Sequence, residues 1–213
     1  MKSSLVLLQC FLLLWCFLPN SYASVPWHKL RTGDVLLLSL DCWVCKLIEA
    51  EEGLPFSHLA LVYRDQTGIK LVESWTRGVE IKTVEDFLKD KKINNQQKIV
   101  VLRHPSFFRS RFLQRDFLET LKTFLGKKYD PHFLWNNKDE EQKPLYYCSE
   151  FVFHFLKSIL KNNLLLKTKK MTFDKNVQHW QKYFFNLRQK IPAGQEGISP
   201  ADFVKSQEFK IIN

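Results

Sequence analysis

A single cysteine, Cys148, stands in the second half of the sequence with no partner near it. A cysteine nucleophile needs three things: a thiolate, a base to take its proton, and a third group that orients the base. Cys148 opens a predicted helix, where unsatisfied backbone N–H groups and the helix dipole favour a thiolate. The competing reading is a buried structural cysteine. Among the histidines, His58 alone combines a strand position with a neighbouring strand that brings a carboxylate alongside. It begins the run Ser57-His58-Leu59-Ala60-Leu61-Val62, and the neighbour is Leu71-Val72-Glu73-Ser74. His154 lies six residues beyond Cys148 on the same helix, about 240° around, and points away. His28 is set aside near the expected mature N-terminus, and His104, His132 and His179 read as solvated or hydrogen-bonded histidines in loop or polar contexts.

The sulfur inventory depends on compartment. Lys2 is followed by 14 residues, Leu5 to Leu18, of which only Gln9 is polar. Pro19-Asn20 breaks the run, and Ser21-Tyr22-Ala23 offers small residues for cleavage. This pattern is a secretory signal peptide, residues 1–23. The run is short for a membrane span, which needs about 20 residues, and no later stretch reaches that length. The expected product, residues 24–213, is exported, periplasmic or secreted. Cys10 and Cys16 leave with the signal, so Cys42, Cys45 and Cys148 remain. In an oxidising compartment Cys42 and Cys45 are close enough to form a disulfide, which leaves Cys148 alone.

Composition bounds the rest. The chain has 213 residues, 45% hydrophobic and 25% charged, with 7 glycines and 8 prolines. That excludes collagen, a disordered tail and a coiled coil, and predicts one domain. The scattered glycines make neither a dinucleotide fingerprint nor a Walker A loop. Lys plus Arg is 32 against 22 acids, a net charge of +10. Runs such as Lys89, Lys91, Lys92 and Lys167, Lys169, Lys170 read as solvated faces. Their functional reading outside the cytoplasm is attraction to an anionic envelope surface rather than to nucleic acid.

The elements that must hold the chemistry are legible as an α+β pattern. Strands are predicted over 35–40, 57–63, 69–74, 79–82 and 99–103, with a hairpin turn at Asp65-Gln66-Thr67-Gly68. A helix is predicted over 42–51, ended by Gly53 and Pro55, and a short one after the N-cap Thr83. Phe108, Phe112, Leu113, Phe117, Leu121, Phe124 and Leu125 repeat at helical spacing up to Gly126. After a polar loop, 136–142, Cys148 opens a helix with the apolar face Phe151, Val152, Phe155, Leu156, Ile159 and Leu160. A last long helix carries Phe173, Val177, Trp180, Phe184 and Leu187, and Ser199-Pro200 starts a short terminal one. The sum is an antiparallel sheet packed against helices, with the candidate nucleophile at a helix N-terminus.

Several segments together resemble the YiiX/YebB-like family, circularly permuted members of the NlpC superfamily with a papain-like fold. They are Arg31-Thr32-Gly33-Asp34-Val35-Leu36, Phe56-Ser57-His58-Leu59-Ala60-Leu61-Val62, Val72-Glu73-Ser74-Trp75 with Gly78-Val79, Gly126-Lys127-Lys128-Tyr129-Asp130, Tyr147-Cys148-Ser149-Glu150-Phe151-Val152 and Ser199-Pro200-Ala201-Asp202-Phe203. The order, histidine before cysteine, makes the set specific. The resemblance implies Cys148 as nucleophile, His58 as base and Glu73 as the residue that orients the imidazole. Glu80 or a main-chain group is the alternative to Glu73. Tyr129 is a candidate oxyanion donor beside the Cys148 backbone N–H, against a reading as a packing tyrosine.

The expected activity is hydrolysis of an amide or ester through an acyl-enzyme, with cell-wall peptide as the first substrate class. A lipid or acyl hydrolase, or an acyltransferase, is the second. No metal or organic cofactor is implied. Cys42, Cys45 and His58 give a Cys-x2-Cys-x12-His spacing, but the second histidine of a zinc finger is missing. Two other functions compete: a catalytically silent amino-acid or peptide-binding module, and thiol–disulfide exchange at Cys42-Trp43-Val44-Cys45.

Overall fold

Val35–Leu38, strand β1, has no polar residue because both of its faces are covered. On one side Val35 and Leu37 join Leu59, Leu61 and Val72 against Phe117, Leu121, Phe151 and Phe155. On the other, Leu36 and Leu38 join Ala60, Val62 and Leu71 against Leu30 and Phe87. The computed structural model describes residues 25–93, 98–108 and 112–212. The expected signal segment lies outside these.

β1 pairs with β2 (His58–Asp65) and with β5 (Ile99–Arg103). β2 turns through the expected hairpin into β3 (Gly68–Trp75), and β3 into β4 (Gly78–Thr83). With β8 (Lys210–Ile212) on β5, the antiparallel order is β4-β3-β2-β1-β5-β8. β6 (Lys169–Lys170) and β7 (Glu196–Gly197) form a separate two-residue pair. The helices are α1 (Trp43–Glu52), α2 (Val84–Asp90), α3 (Phe112–Phe124), α4 (Cys148–Leu160), α5 (Val177–Asn186) and α6 (Pro200–Lys205). α3 and α4 cover the first face of the sheet, and α2 lies on the second.

Local chemistry sets the boundaries. Thr83 caps α2 by accepting from the Asp86 N–H. Ser199 and Asp202 close a reciprocal capping box on α6, which satisfies two N–H groups that would otherwise lack partners. Several elements differ from expectation, β6 and β7 among them, which have no counterpart in the sequence pattern. α5 begins at Val177, so Phe173 precedes the helix and packs edge-on against Trp180 and Phe184, with ring centroids 5.0 and 5.4 Å away. β8 has no counterpart in the sequence pattern. Its three residues, Lys-Ile-Ile, are too few to show alternation, and pairing with β5 alone defines it.

The Gly33-Asp34 pair proves to be a latch. Asp34 is fully buried and accepts from Nε and Nη2 of Arg103 at 2.5 and 2.6 Å, and from the Arg31 N–H. It therefore ties the entrance of β1 to the end of β5. Removing one partner of a buried ion pair leaves the other charge desolvated. Asp34→Ala is expected to lower stability by about 3 kcal/mol, read as a reduced urea midpoint at unchanged slope.

Candidate active site

Cys148 is the first residue of α4, after Tyr147 in extended conformation. β2 and β3 pair from Asp65↔Gly68 to Leu61↔Val72. Beyond that point polar groups of both strands turn to the start of α4. Ser74 Oγ donates to the Tyr146 carbonyl at 2.6 Å, and the Leu59 N–H points to the Cys148 sulfur. The sulfur lies 4.0 Å from the Ser57 carbonyl oxygen. It thus touches main chain on both sides of His58, although ninety positions separate the two residues. Ser57 is itself pinned, since its hydroxyl donates to Glu49 at 2.9 Å and accepts from the Leu40 N–H.

His58 is fully buried. Its Nε2 meets Oε2 of Glu73 at 2.5 Å. A carboxylate only accepts, so Nε2 carries the hydrogen and Nδ1 is left with its lone pair. Among the described residues Nδ1 has no hydrogen-bond partner, the thiol included. Trp75 packs edge-on against the ring at 4.7 Å and Phe87 stacks at 6.4 Å. Glu80, the alternative orienting residue, pairs with Lys82 and Arg77 instead.

The structure also brings in two residues that sequence reasoning missed. Oε1 of Glu73 accepts from Lys82 Nζ at 2.9 Å and Lys91 Nζ at 2.8 Å. Lys91, read above as part of a solvated run, is buried; its ammonium lies 4.5 Å from the Trp75 ring centroid. Lys169 also departs from that reading, being paired with Glu52 and Asp202. Lys82 was detectable in principle. Glu80 sits directly opposite Glu73, and a residue two further along β4 faces the same way and lies on the diagonal.

Electrostatics follow from these contacts. Burial alone would raise the Glu73 carboxyl, but hydrogen bonds and charges from His58 and Lys91 outweigh it and hold it at about 2. Burial lowers His58; the pull of Glu73 opposes this, and the charges of Lys91 and Lys82 reinforce it. The imidazole is therefore neutral and the carboxylate ionised. Burial also pushes the Cys148 thiol up to about 11, against N–H groups of Leu59 and Ser149 that favour the anion. The resting pair is a neutral thiol and a neutral imidazole.

Tyr129 is placed toward this site. Val79 N–H donates to the Lys127 carbonyl and Gly126 N–H to the Val79 carbonyl, which docks the segment on β4. Gly78, at φ +91°, permits that approach, since a Cβ there would run into the Lys127 carbonyl. The Tyr129 ring lies 6.2 Å from Trp75. Burial raises its pKa well above the ordinary range, and charge on Cys148 would raise it further. Its hydroxyl therefore stays protonated at neutral pH.

A small apolar pocket of about 40 Å³ lies beside Cys148, bordered by α1 and α5 and walled by Ile48, Phe133, Met171, Phe173, Trp180 and Ile198. Its two carboxylates are already engaged. Glu51 accepts from Thr172 Oγ1 and from the Asp174 and Lys175 N–H groups, and Glu52 pairs with Lys169 and Lys205. Cys42 and Cys45 are joined as a disulfide at the start of α1. His154 stacks on Trp135 near Glu150, away from the thiol, and His104 faces Glu208. Among the described residues, no group of three or more His, Cys, Asp or Glu side chains is placed to hold a metal ion, and no helix is long and apolar enough to cross a membrane.

Comparison with known proteins gives two positive results. Residues 29–213 match the model of a family described as permuted papain-like amidase enzyme, YaeF/YiiX, C92 family. The crystal structure of the metalloprotein YiiX from Escherichia coli O157:H7 superposes with a TM-score of 0.71 at 20% identity, covering 86% of this chain and 96% of that one. The two therefore share a fold. No curated protein matches.

The buried histidine has a consequence for stability. His58 titrates below its ordinary value of 6.5 in the fold, so as pH falls through about 6.5 the unfolded chain takes up a proton that the folded one refuses. Stability is full above that value and declines below it. Glu73 acts in the same direction but lower, between 4.5 and about 2. The urea midpoint is expected to fall between pH 7 and pH 5, with a shallower slope in His58→Gln. Because His104 is also lowered, part of the slope remains.

Proposed function

The chain belongs to the permuted papain-like amidase family, and from that premise we propose that it is an exported cysteine hydrolase that cleaves an amide or ester through an acyl-enzyme on Cys148. The observation that carries the reading is the sulfur lying against the main chain on both sides of a buried, neutral His58 whose Nε2 is fixed by Glu73.

The steps follow from the protonation states. As the carbonyl carbon arrives, the thiol closes on Nδ1 of His58, gives it the proton, and forms the S–C bond. Closure accompanies substrate entry, since catalytic hydrogen bonds commonly tighten only in the reactive complex. Glu73 stabilises the imidazolium that results. Tyr129 O–H and the Cys148 N–H are the donors for the developing oxyanion. The C–N or C–O bond then breaks, the leaving amine or alcohol takes the proton from His58, and water activated by the same base releases the acid.

For the acyl group, the pocket of about 40 Å³ beside the thiol favours a short apolar group over a polar cell-wall peptide. Its walls are aliphatic and aromatic, and both of its carboxylates are occupied by internal partners. Export is supported by the signal-like segment and by the Cys42–Cys45 disulfide, which an oxidising compartment maintains. The excess of basic residues suits an anionic envelope surface.

The test uses p-nitrophenyl acetate, butyrate, octanoate and dodecanoate, with a purified muropeptide as the polar alternative. Turnover highest with acetate and butyrate and falling toward dodecanoate is expected, with the matching acyl mass on Cys148 in intact-protein spectra and none in Cys148→Ala. Trp180→Ala, which enlarges the pocket, is expected to shift the preference toward longer chains. Cleavage of the muropeptide without ester turnover would replace the apolar class by the cell-wall one. An acyl mass on any other residue would contradict the mechanism.

A further inference from the structure

Two ammonium groups converge on one oxygen of a carboxylate that has no exposed side-chain surface, and neither belongs to the nucleophile, the base or its orienting residue. Oε1 of Glu73 takes both Lys82 and Lys91, and Oε2 takes only the histidine. Such a carboxylate cannot rotate to offer His58 a different oxygen without breaking two charged hydrogen bonds. Charged hydrogen bonds of this kind are about twice as strong as neutral ones.

We propose that Lys91 and Lys82 are positioning residues for the reaction: they clamp Glu73 so that it fixes the Nε2–H tautomer of His58 without drawing a full proton onto the ring. This rests on the hydrolase reading above. A lone buried carboxylate at 2.5 Å would favour imidazolium strongly, and a protonated His58 could accept nothing from the thiol. The two lysines offset that pull.

The charges around the ring are balanced. Glu73 comes from β3, Glu80, Lys82 and Arg77 from β4 and its turn, Asp90 and Lys91 from the end of α2, and Cys148 and Tyr129, both uncharged at neutral pH, from the α4 side. The ion-pair network thus joins three carboxylates to three cations, and of these Glu73, Lys91 and Lys82 act on the neutral histidine. Lys91 is the more telling of the pair. Its ammonium is held between Glu73, Asp90 and the face of Trp75, the ring that also packs on His58. Removing either lysine leaves a net negative surround, which imidazolium would relieve.

The test follows His58 directly by nitrogen-15 NMR of histidine-labelled intact protein, titrated from neutral to acid. In the wild type His58 is expected as the Nε2–H tautomer, protonating below the ordinary histidine range. Lys91→Met and Lys82→Met are expected to raise its protonation midpoint by about one pH unit or more. The acid limb of esterase kcat/KM should move by the same amount, and Lys91→Arg should restore it. Asp90→Asn, at a half-exposed position, should move the midpoint the other way. A merely structural role would lower the folded fraction without moving the midpoint. The proposal is overturned if both methionine variants titrate with the wild type, or if Asp90→Asn does so where neither methionine variant folds. Failure of the hydrolase reading looks different, since the midpoints would shift while Cys148 carries no acyl group.

Discussion

A carboxylate sealed from water stays ionised only when charged donors replace the water it has lost. Glu73 meets that condition with two ammoniums on one oxygen and an imidazole N–H on the other. Much of the site follows from this arrangement. The carboxylate decides which nitrogen of His58 holds the hydrogen, and so which holds the lone pair. The lysines keep the carboxylate from taking that hydrogen and weaken its hold on a second proton. The result is an uncharged imidazole and an uncharged thiol. Both can be buried at modest cost in desolvation, which an imidazolium–thiolate pair at rest could not.

The fold supplies the meeting of the two halves of the chain. The β2–β4 meander carries His58, Glu73 and Lys82 on one connected surface, and α2 adds Lys91. Cys148 comes from α4, which packs across the sheet and reaches β2 where its pairing with β3 has ended. The Leu59 N–H then points to sulfur, and Ser74 holds the preceding turn by its hydroxyl. The opening of the sheet at this end is what admits a helix terminus to the histidine. α1 and α5 border the small apolar pocket beside the thiol.

Much of this was legible in the sequence. The alternation and turn residues around Asp65-Gln66-Thr67-Gly68 gave the meander, and helical spacing gave α4 with Cys148 at its tip. His58 stood out because a strand residue has a predictable neighbour, and that neighbour carried Glu73. Lys82 and Lys91 were not picked out, because a lysine normally lies in solvent; the diagonal of β4 on Glu73 could have signalled Lys82, whereas nothing in the sequence brings Lys91, at the end of α2, back to the same carboxylate. Phe173 was assigned to α5 because an aromatic at helical spacing has the same pattern whether it lies within the helix or packs against it. β8 was missed because three residues carry no period, and its existence is a property of the open edge of β5.

The central claim is that His58 activates Cys148. The most direct measurement is the second-order rate of Cys148 alkylation by iodoacetamide across neutral pH, in wild type and in His58→Ala, with the site of labelling read by peptide mass spectrometry. The account predicts selective labelling of Cys148 in the wild type and a fall of about a hundredfold or more in the variant, the range for loss of a positioned base. Equal rates in the two proteins, or a wild-type Cys148 no more reactive than a buried thiol with a pKa of about 11 allows, would contradict it.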